Sequence, residues 1–136
     1  MSTAIPSIQK YMTTSPHTVG AEQTLAFAHG LLQEHRIRHL PVLRGGRLAG
    51  ILTQRDIALV ESLKDVDPTL ILVEDAMSQE IFTVSPEAPL DEVVSEMAAH
   101  KYGSALVVQN SKVVGIFTAV DACSTLAELL RGRLAK

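Results

Sequence analysis

The chain has 136 residues, of which 46% are hydrophobic and 20% charged, proportions typical of one globular domain and not of a disordered or fibrous protein. Its formal charge of −3 and its 4% aromatic content argue against nucleic acid or a membrane surface as partner, and no apolar run approaches the ~20 residues that span a bilayer. The single cysteine and the lack of an export signal predict a cytoplasmic protein.

The chain repeats itself at a constant offset of 65 residues. Residues 8–56 align with residues 73–121 without a gap and share eleven identities in 49 positions. Conservative pairs such as Arg36 and Lys101 lie in the same register. We therefore predict a first repeat at 8–62, a linker at 63–72 and a second repeat at 73–134.

Each repeat predicts the same series of elements, βαββα. A short strand at Thr18-Val19 or Thr83-Val84 comes first, and a helix follows over residues 24–36 or 89–101. The second copy of this helix has apolar residues at the spacing i, i+3, i+4 and i+7, which indicates one buried face. They are Leu90, Val93, Val94 and Met97.

The second half of each repeat predicts a tight β-hairpin and a closing helix. In the first copy the strands at 39–43 and 47–53 are joined by Gly45-Gly46, and Asn110-Ser111 joins their counterparts. The closing helices begin near Arg55 and Val120, and Cys123 on the second of them is expected to be a small packed residue.

One repeat alone is too small to bury its sheet face. We therefore expect the two to pack as a single α/β (α+β) domain around a pseudo-two-fold axis, and pairs of domains to associate into a homodimer through their helical faces.

The most specific local signal is the motif G-h-h-T-x-x-D, in which h is hydrophobic. It occurs at residues 50–56 and again at 115–121. A Thr followed three residues later by an acid at a strand-to-helix junction is typical of a capping box, so the motif has a purely structural interpretation. The same helix start offers backbone N–H groups to phosphate, and a first-turn carboxylate can accept hydrogen bonds from ribose hydroxyls. Asp56 and Asp121 fit that role.

The sequence resembles the CBS domain family in its paired arrangement, the Bateman module. The resemblance covers nearly the whole chain and rests on residues 37–42, on residues 47–56 and on their second-copy counterparts. It implies two clefts between the repeats that bind AMP, ADP or ATP, or less often other adenosine-containing or cyclic dinucleotide ligands. It also implies a regulatory module, whose regulated protein the sequence does not identify.

The resemblance assigns roles residue by residue. Asp56 and Asp121 would hold ribose, Thr53 and Thr118 would lie near ribose and phosphate, and the backbone near Thr18 and Thr83 would meet the base.

The two clefts are predicted to be unequal. Five arginines and no acid lie between residues 36 and 55, against two lysines between 101 and 120. Arg38, His39 and Arg55 are the candidates to face ligand, and Val120 replaces Arg55 in the second motif. We therefore expect tighter binding of phosphorylated ligands at the first motif.

Two hypotheses of different class remain: a nucleotide-binding regulatory module, or a dimerisation scaffold whose motifs only cap helices. No nucleophile with a His and acid partner and no phosphate-binding glycine loop occurs, so catalysis is not expected. The five histidines form no short ligand pair, and we expect neither a metal site nor a required cofactor.

Overall fold

A computed structural model describes residues 4–134. The chain divides into two compact units. One consists of Pro16–Ile81, and the other joins the residues up to Ser15 to those from Phe82 onward. Each unit is described by itself below.

The elements follow the predicted series. In chain order they are a 3-10 turn (Ile8–Lys10), β1 (Thr13–Thr14), β2 (Val19–Gly20), α1 (Leu25–His35), β3 (His39–Arg44), β4 (Arg47–Thr53), α2 (Gln54–Glu61), α3 (Val73–Ala76), β5 (Thr83–Val84), α4 (Leu90–His100), β6 (Ser104–Gln109), β7 (Lys112–Thr118) and α5 (Ala119–Leu134). The mixed α/β fold with two βαββα repeats is confirmed.

Each unit contains one mixed sheet. In the unit Pro16–Ile81 the strand order is β2-β3-β4, with β2 parallel to β3 and β3 antiparallel to β4. The other unit has the order β1-β7-β6-β5 and the same pattern of parallel and antiparallel pairs, with β1 added at the edge of β7. Both hairpins turn through two residues of positive φ, Gly45-Gly46 and Asn110-Ser111, as the sequence predicts.

The cores follow the helical periodicity of the sequence. Leu25, Ala28 and Leu32 of α1 are buried at i, i+3 and i+7 against the sheet of their own unit. In the other unit the buried face of α4 is formed by Leu90, Val93 and Met97, as predicted. The packed position predicted for Cys123 is wrong, because this side chain is exposed on α5. Helical spacing alone did not show which face of α5 meets the sheet.

The segments that open the two repeats are exchanged between the units. Thr13 of β1 pairs with Ile116 of β7, and its counterpart 65 residues later, Ser78, forms a bridge with Ile51 of β4. The fully buried Ile8 belongs to the core that contains Phe117, and the equally buried Val73 belongs to the core that contains Leu52. The sheet of each unit is therefore completed by residues that open the other sequence repeat.

The glycine of each G-h-h-T-x-x-D motif lies under this exchanged segment. A Cβ at Gly50 would lie 2.6 Å from the Ser78 carbonyl oxygen and 2.8 Å from Met77 Sδ. At Gly115 the three nearest atoms all belong to the side chain of Met12, whose Cγ would lie 2.9 Å away. The motif glycines therefore leave room for a neighbouring segment, more rigidly at Gly50, where the obstacle includes backbone.

We predict that Gly50→Ala lowers the free energy of unfolding by ~1–3 kcal/mol, because the added methyl group meets a backbone carbonyl that cannot rotate away. Gly115→Ala should cost less, since the methionine side chain can move. Gly30→Ala is the control: this α1 residue has nothing within 4 Å of an added Cβ, and alanine should stabilise the helix by ~0.5–1 kcal/mol. Urea denaturation measures all three, and equal losses at Gly50 and Gly30 would contradict the interpretation.

Candidate functional site

The first T-x-x-D motif joins β4 directly to α2. Thr53 ends the strand in extended conformation and forms the N-cap of the helix. Its Oγ1 accepts a hydrogen bond from the Asp56 amide at 3.2 Å, and Asp56 Oδ2 accepts one from the Thr53 amide at 2.9 Å. Both bonds of a capping box are therefore present.

The second motif has the same geometry. The Thr118 amide donates to Asp121 Oδ2 at 2.8 Å, and the Asp121 amide donates to Thr118 Oγ1 at 3.2 Å. The structural interpretation of the motif is thus satisfied in both repeats. The box does not use the whole carboxylate, because its bond is accepted by Oδ2 and Oδ1 of each aspartate takes no part in it. Both side chains are only half-buried, so these oxygens can accept hydrogen bonds from a ligand.

The sheet topology gathers the predicted ligand residues of the first repeat. His39 begins β3 and lies opposite Thr53 in the strand register. Because β2 is parallel to β3, Thr18, which directly precedes β2, lies at the same end of the sheet. Arg38 is joined to this end by its carbonyl oxygen, which accepts a hydrogen bond from the Gln54 amide at 2.9 Å.

The second repeat gathers its residues in the same way. Thr83 begins β5, and Thr118, at the end of β7, lies opposite Ser104 at the start of β6. The residue that corresponds to His39 is therefore a serine, and the one that corresponds to Arg38 is Gly103. The second motif thus lacks the cationic side chains of the first.

The arginines of the first repeat differ in whether they already form an ion pair within the protein. Arg44 pairs with Glu74 at 3.0 Å and is engaged within its own unit. The guanidinium groups of Arg36, Arg38 and Arg55 are exposed, and no carboxylate in the described part of the chain lies within 4.0 Å of them. These three side chains can therefore pair with an anion without first breaking an ion pair.

The structure also contains a pocket that the sequence did not predict. It lies within the unit Pro16–Ile81 and has a volume of about 320 Å³. Five polar residues line it, together with Leu32 and Ile37: His29, Gln33, Arg36, Arg38 and Gln54. Comparison of polarity at matched positions of the two repeats could have indicated it, because the second repeat has no such concentration of polar residues.

Across residues 4–134, no group of three or more His, Cys, Asp or Glu side chains could hold a metal ion. No helix in the same range is both long enough and apolar enough to cross a membrane.

The paired motifs and the duplicated mixed sheets define a tandem CBS-type module, and comparisons with known proteins agree. The sequence model of the CBS domain matches residues 8–62 and 73–128, so the chain belongs to the CBS domain family. It is 33% identical over 115 residues to the CBS domain-containing protein YhcV of Bacillus subtilis, an alignment that covers 85% of this chain and 81% of that protein.

Two further relatives bear on function. The CBS domain pair of protein MJ0100, solved with 5′-methylthioadenosine and S-adenosyl-L-methionine, has a TM-score of 0.80 and 25% identity over 92% of this chain and 98% of that one. The inosine-5′-monophosphate dehydrogenase of Korarchaeum cryptofilum is 33% identical over 122 residues, which are 89% of this chain and only 24% of the dehydrogenase. This chain therefore corresponds to a small part of that enzyme.

The capping role can be measured separately from any ligand. We predict that Thr118→Ala lowers the free energy of unfolding by ~1 kcal/mol, because the Asp121 amide loses its acceptor. Thr118→Ser keeps the hydroxyl and should stay close to wild type. Thermal denaturation without ligand distinguishes the two, and an unchanged Thr118→Ala variant would show that the box contributes no stability.

Proposed function

We propose that this protein is a regulatory module that binds an adenosine-containing ligand, AMP, ADP or ATP, at its T-x-x-D motifs and catalyses no reaction itself. The observation that carries the proposal is the repetition of one arrangement: a half-buried aspartate with an unused carboxylate oxygen at a helix start, beside the end of a mixed sheet. The MJ0100 domain pair, solved with two adenosine-type molecules, supports this ligand class.

In this proposal Asp56 and Asp121 accept hydrogen bonds from the ribose hydroxyls through the oxygen that the capping box leaves unused. Thr53 and Thr118 lie toward ribose and phosphate. The backbone at Thr18 or Thr83 contacts the base. The positive end of each helix dipole favours the phosphate end.

Phosphorylated ligands are proposed to bind more tightly at the first motif. Arg55 is the second residue of α2, and Arg38 and His39 lie at the same end of the sheet. The residues at the corresponding positions of the second repeat carry no charge: they are Val120, Gly103 and Ser104. Methylthioadenosine has no phosphate, so this charge is the feature by which the first motif would favour AMP over that molecule.

The alternative function is a dimerisation scaffold that binds no ligand. It is favoured by the completeness of both capping boxes, which explain Thr and Asp without any ligand. It does not explain why Arg38 and Arg55, which have no ion-pair partner among residues 4–134, lie at the first motif while Gly103 and Val120 occupy the matching positions of the second.

We predict that calorimetry with AMP detects a tighter binding event at the first motif and a weaker one at the second. Asp56→Asn should weaken the tighter event at least about tenfold, the effect of a lost charge-assisted hydrogen bond. Asparagine retains an oxygen for the Thr53 amide, so the cap is preserved. Asp91→Asn, which removes an exposed first-turn carboxylate of α4, is the charge-matched control and should bind as wild type.

Asp121→Asn should leave the tighter event intact and affect only a weaker one. Loss of the tighter event in Asp121→Asn together with its survival in Asp56→Asn would contradict the assignment. If calorimetry of the wild type with AMP shows no heat of binding, the scaffold function is favoured.

We also propose that the protein is a cytoplasmic homodimer. Helix α5 exposes Val120, Leu126, Leu129 and Leu130, each between 48% and 64% accessible. An apolar helix surface of this kind is stabilised by a second copy of the same surface.

We expect light scattering at tens of micromolar to give the mass of a dimer. Leu126→Glu combined with Leu130→Glu should give a monomer, because it introduces charges into the apolar surface. Ser124→Glu adds a charge to an exposed position of the same helix outside that set and should remain dimeric. A wild-type monomer under these conditions would refute the proposed dimer.

A further inference from the structure

The pocket in the unit Pro16–Ile81 has a composition that the T-x-x-D motif does not account for. Neither Thr53 nor Asp56 lines it. Its polar residues come from α1, from the segment between α1 and β3, and from the first residue of α2. It is a cavity of about 320 Å³, at the lower end of the size range of sites for small organic ligands.

The two arginines of the pocket have no acidic partner to neutralise their charge. Arg36 and Arg38 have no carboxylate within 4.0 Å in the part of the chain that the structure describes. His29 Nδ1, in contrast, is hydrogen-bonded to Glu61 Oε2 at 3.1 Å. The side-chain amides of Gln33 and Gln54 add uncharged donors to the lining. Two guanidinium groups and two amides thus share one concave surface.

The second repeat shows that the fold does not need these residues. The positions that match His29, Gln33 and Arg38 are Val94, Ala98 and Gly103, and Gln54 corresponds to Ala119. Helix α4 nevertheless has the same length as α1, and both helices end in a left-handed residue, Arg36 at φ 53° and Lys101 at φ 59°. Arg36 corresponds to the cationic Lys101, whereas the other four polar residues of the lining are an addition to the common fold.

We propose that this pocket is a second binding site for the phosphoryl group of a small anionic metabolite. It includes Gln54 of the motif and the predicted ligand residue Arg38, but Thr53, Arg55 and Asp56 lie outside it. A phosphate monoester carries about −1.5 to −2 charges at pH 7, which matches two unpaired arginines. Guanidinium groups bind phosphate oxygens in a bidentate manner, and glutamine amides can donate to the remaining oxygens. The proposal does not depend on nucleotide binding at Asp56.

The test is a ¹H–¹⁵N NMR titration with inorganic phosphate, and then with glycerol 3-phosphate, against sodium chloride at equal ionic strength. We expect saturable shifts of the Gln33 and Gln54 side-chain amides and of the Arg36 and Arg38 Nε–H groups. Glycerol 3-phosphate should bind more tightly than phosphate if the apolar residues of the pocket contact its carbon chain. Shifts that are not saturable, or that chloride reproduces, would overturn the proposal.

Variants locate the site. Arg36→Gly removes the guanidinium at a left-handed position that glycine adopts readily, and Arg38→Gln removes the second. Each should weaken phosphate binding at least about tenfold. Arg47→Gln, at the exposed start of β4 and outside the pocket, removes the same charge and should leave the affinity within about twofold. An equal loss in Arg47→Gln would show nonspecific attraction and overturn the site.

Arg55→Gln decides whether the pocket is separate from the nucleotide site, because Arg55 belongs to the motif and does not line the pocket. A separate site predicts that this variant binds inorganic phosphate and glycerol 3-phosphate as wild type does, whatever its response to AMP. If Arg55→Gln loses phosphate binding as well, the pocket is only the phosphate end of the nucleotide site and the proposal is wrong. If phosphate binds to the wild type and AMP does not, the pocket stands and the nucleotide proposal fails.

Discussion

The structure depends on one exchange of short segments. Residues that open each sequence repeat complete the sheet of the unit that contains the other repeat's motif, and they lie directly over its glycine. A side chain at Gly50 would displace this segment, because its Cβ would lie 2.6 Å from the Ser78 carbonyl oxygen. The strand that ends in each T-x-x-D motif is thereby paired on both sides, which fixes the start of the following helix and the position of its aspartate.

The same atoms serve stability and binding in this arrangement. The capping box uses one oxygen of Asp56 and one of Asp121 and leaves the other to solvent. A helix cap alone would have explained both residues, and the binding proposal rests on the carboxylate oxygen that the box leaves unused in both copies. The difference between the repeats adds to this, since Arg38 and Arg55 correspond to Gly103 and Val120, and four of the five polar residues of the pocket have no polar counterpart in the second repeat.

Much of the fold could be predicted because the offset of 65 residues compares each element with a second copy. The hairpins, the buried face of α4 and the helix starts at Thr53 and Thr118 all follow from local chemistry. The exchange could not be predicted, because Met12 and Met77 keep the same offset whichever unit they pack in. The pocket was missed for a related reason. Gln33 lies on α1, Arg38 lies in the segment that follows it and Gln54 begins α2, and these parts of the chain form one concave surface only in the folded unit.

The central claim is that both motifs bind ligand in addition to capping helices. Hydrogen–deuterium exchange with and without saturating AMP tests it most directly, with peptides that cover residues 50–61 and 115–126 and the hairpin at 43–48 as internal reference. The account predicts slower exchange in both motif peptides, with the larger change in the first, and none in the hairpin. Unchanged exchange in both motif peptides at saturating AMP would contradict it and leave helix capping as their only role.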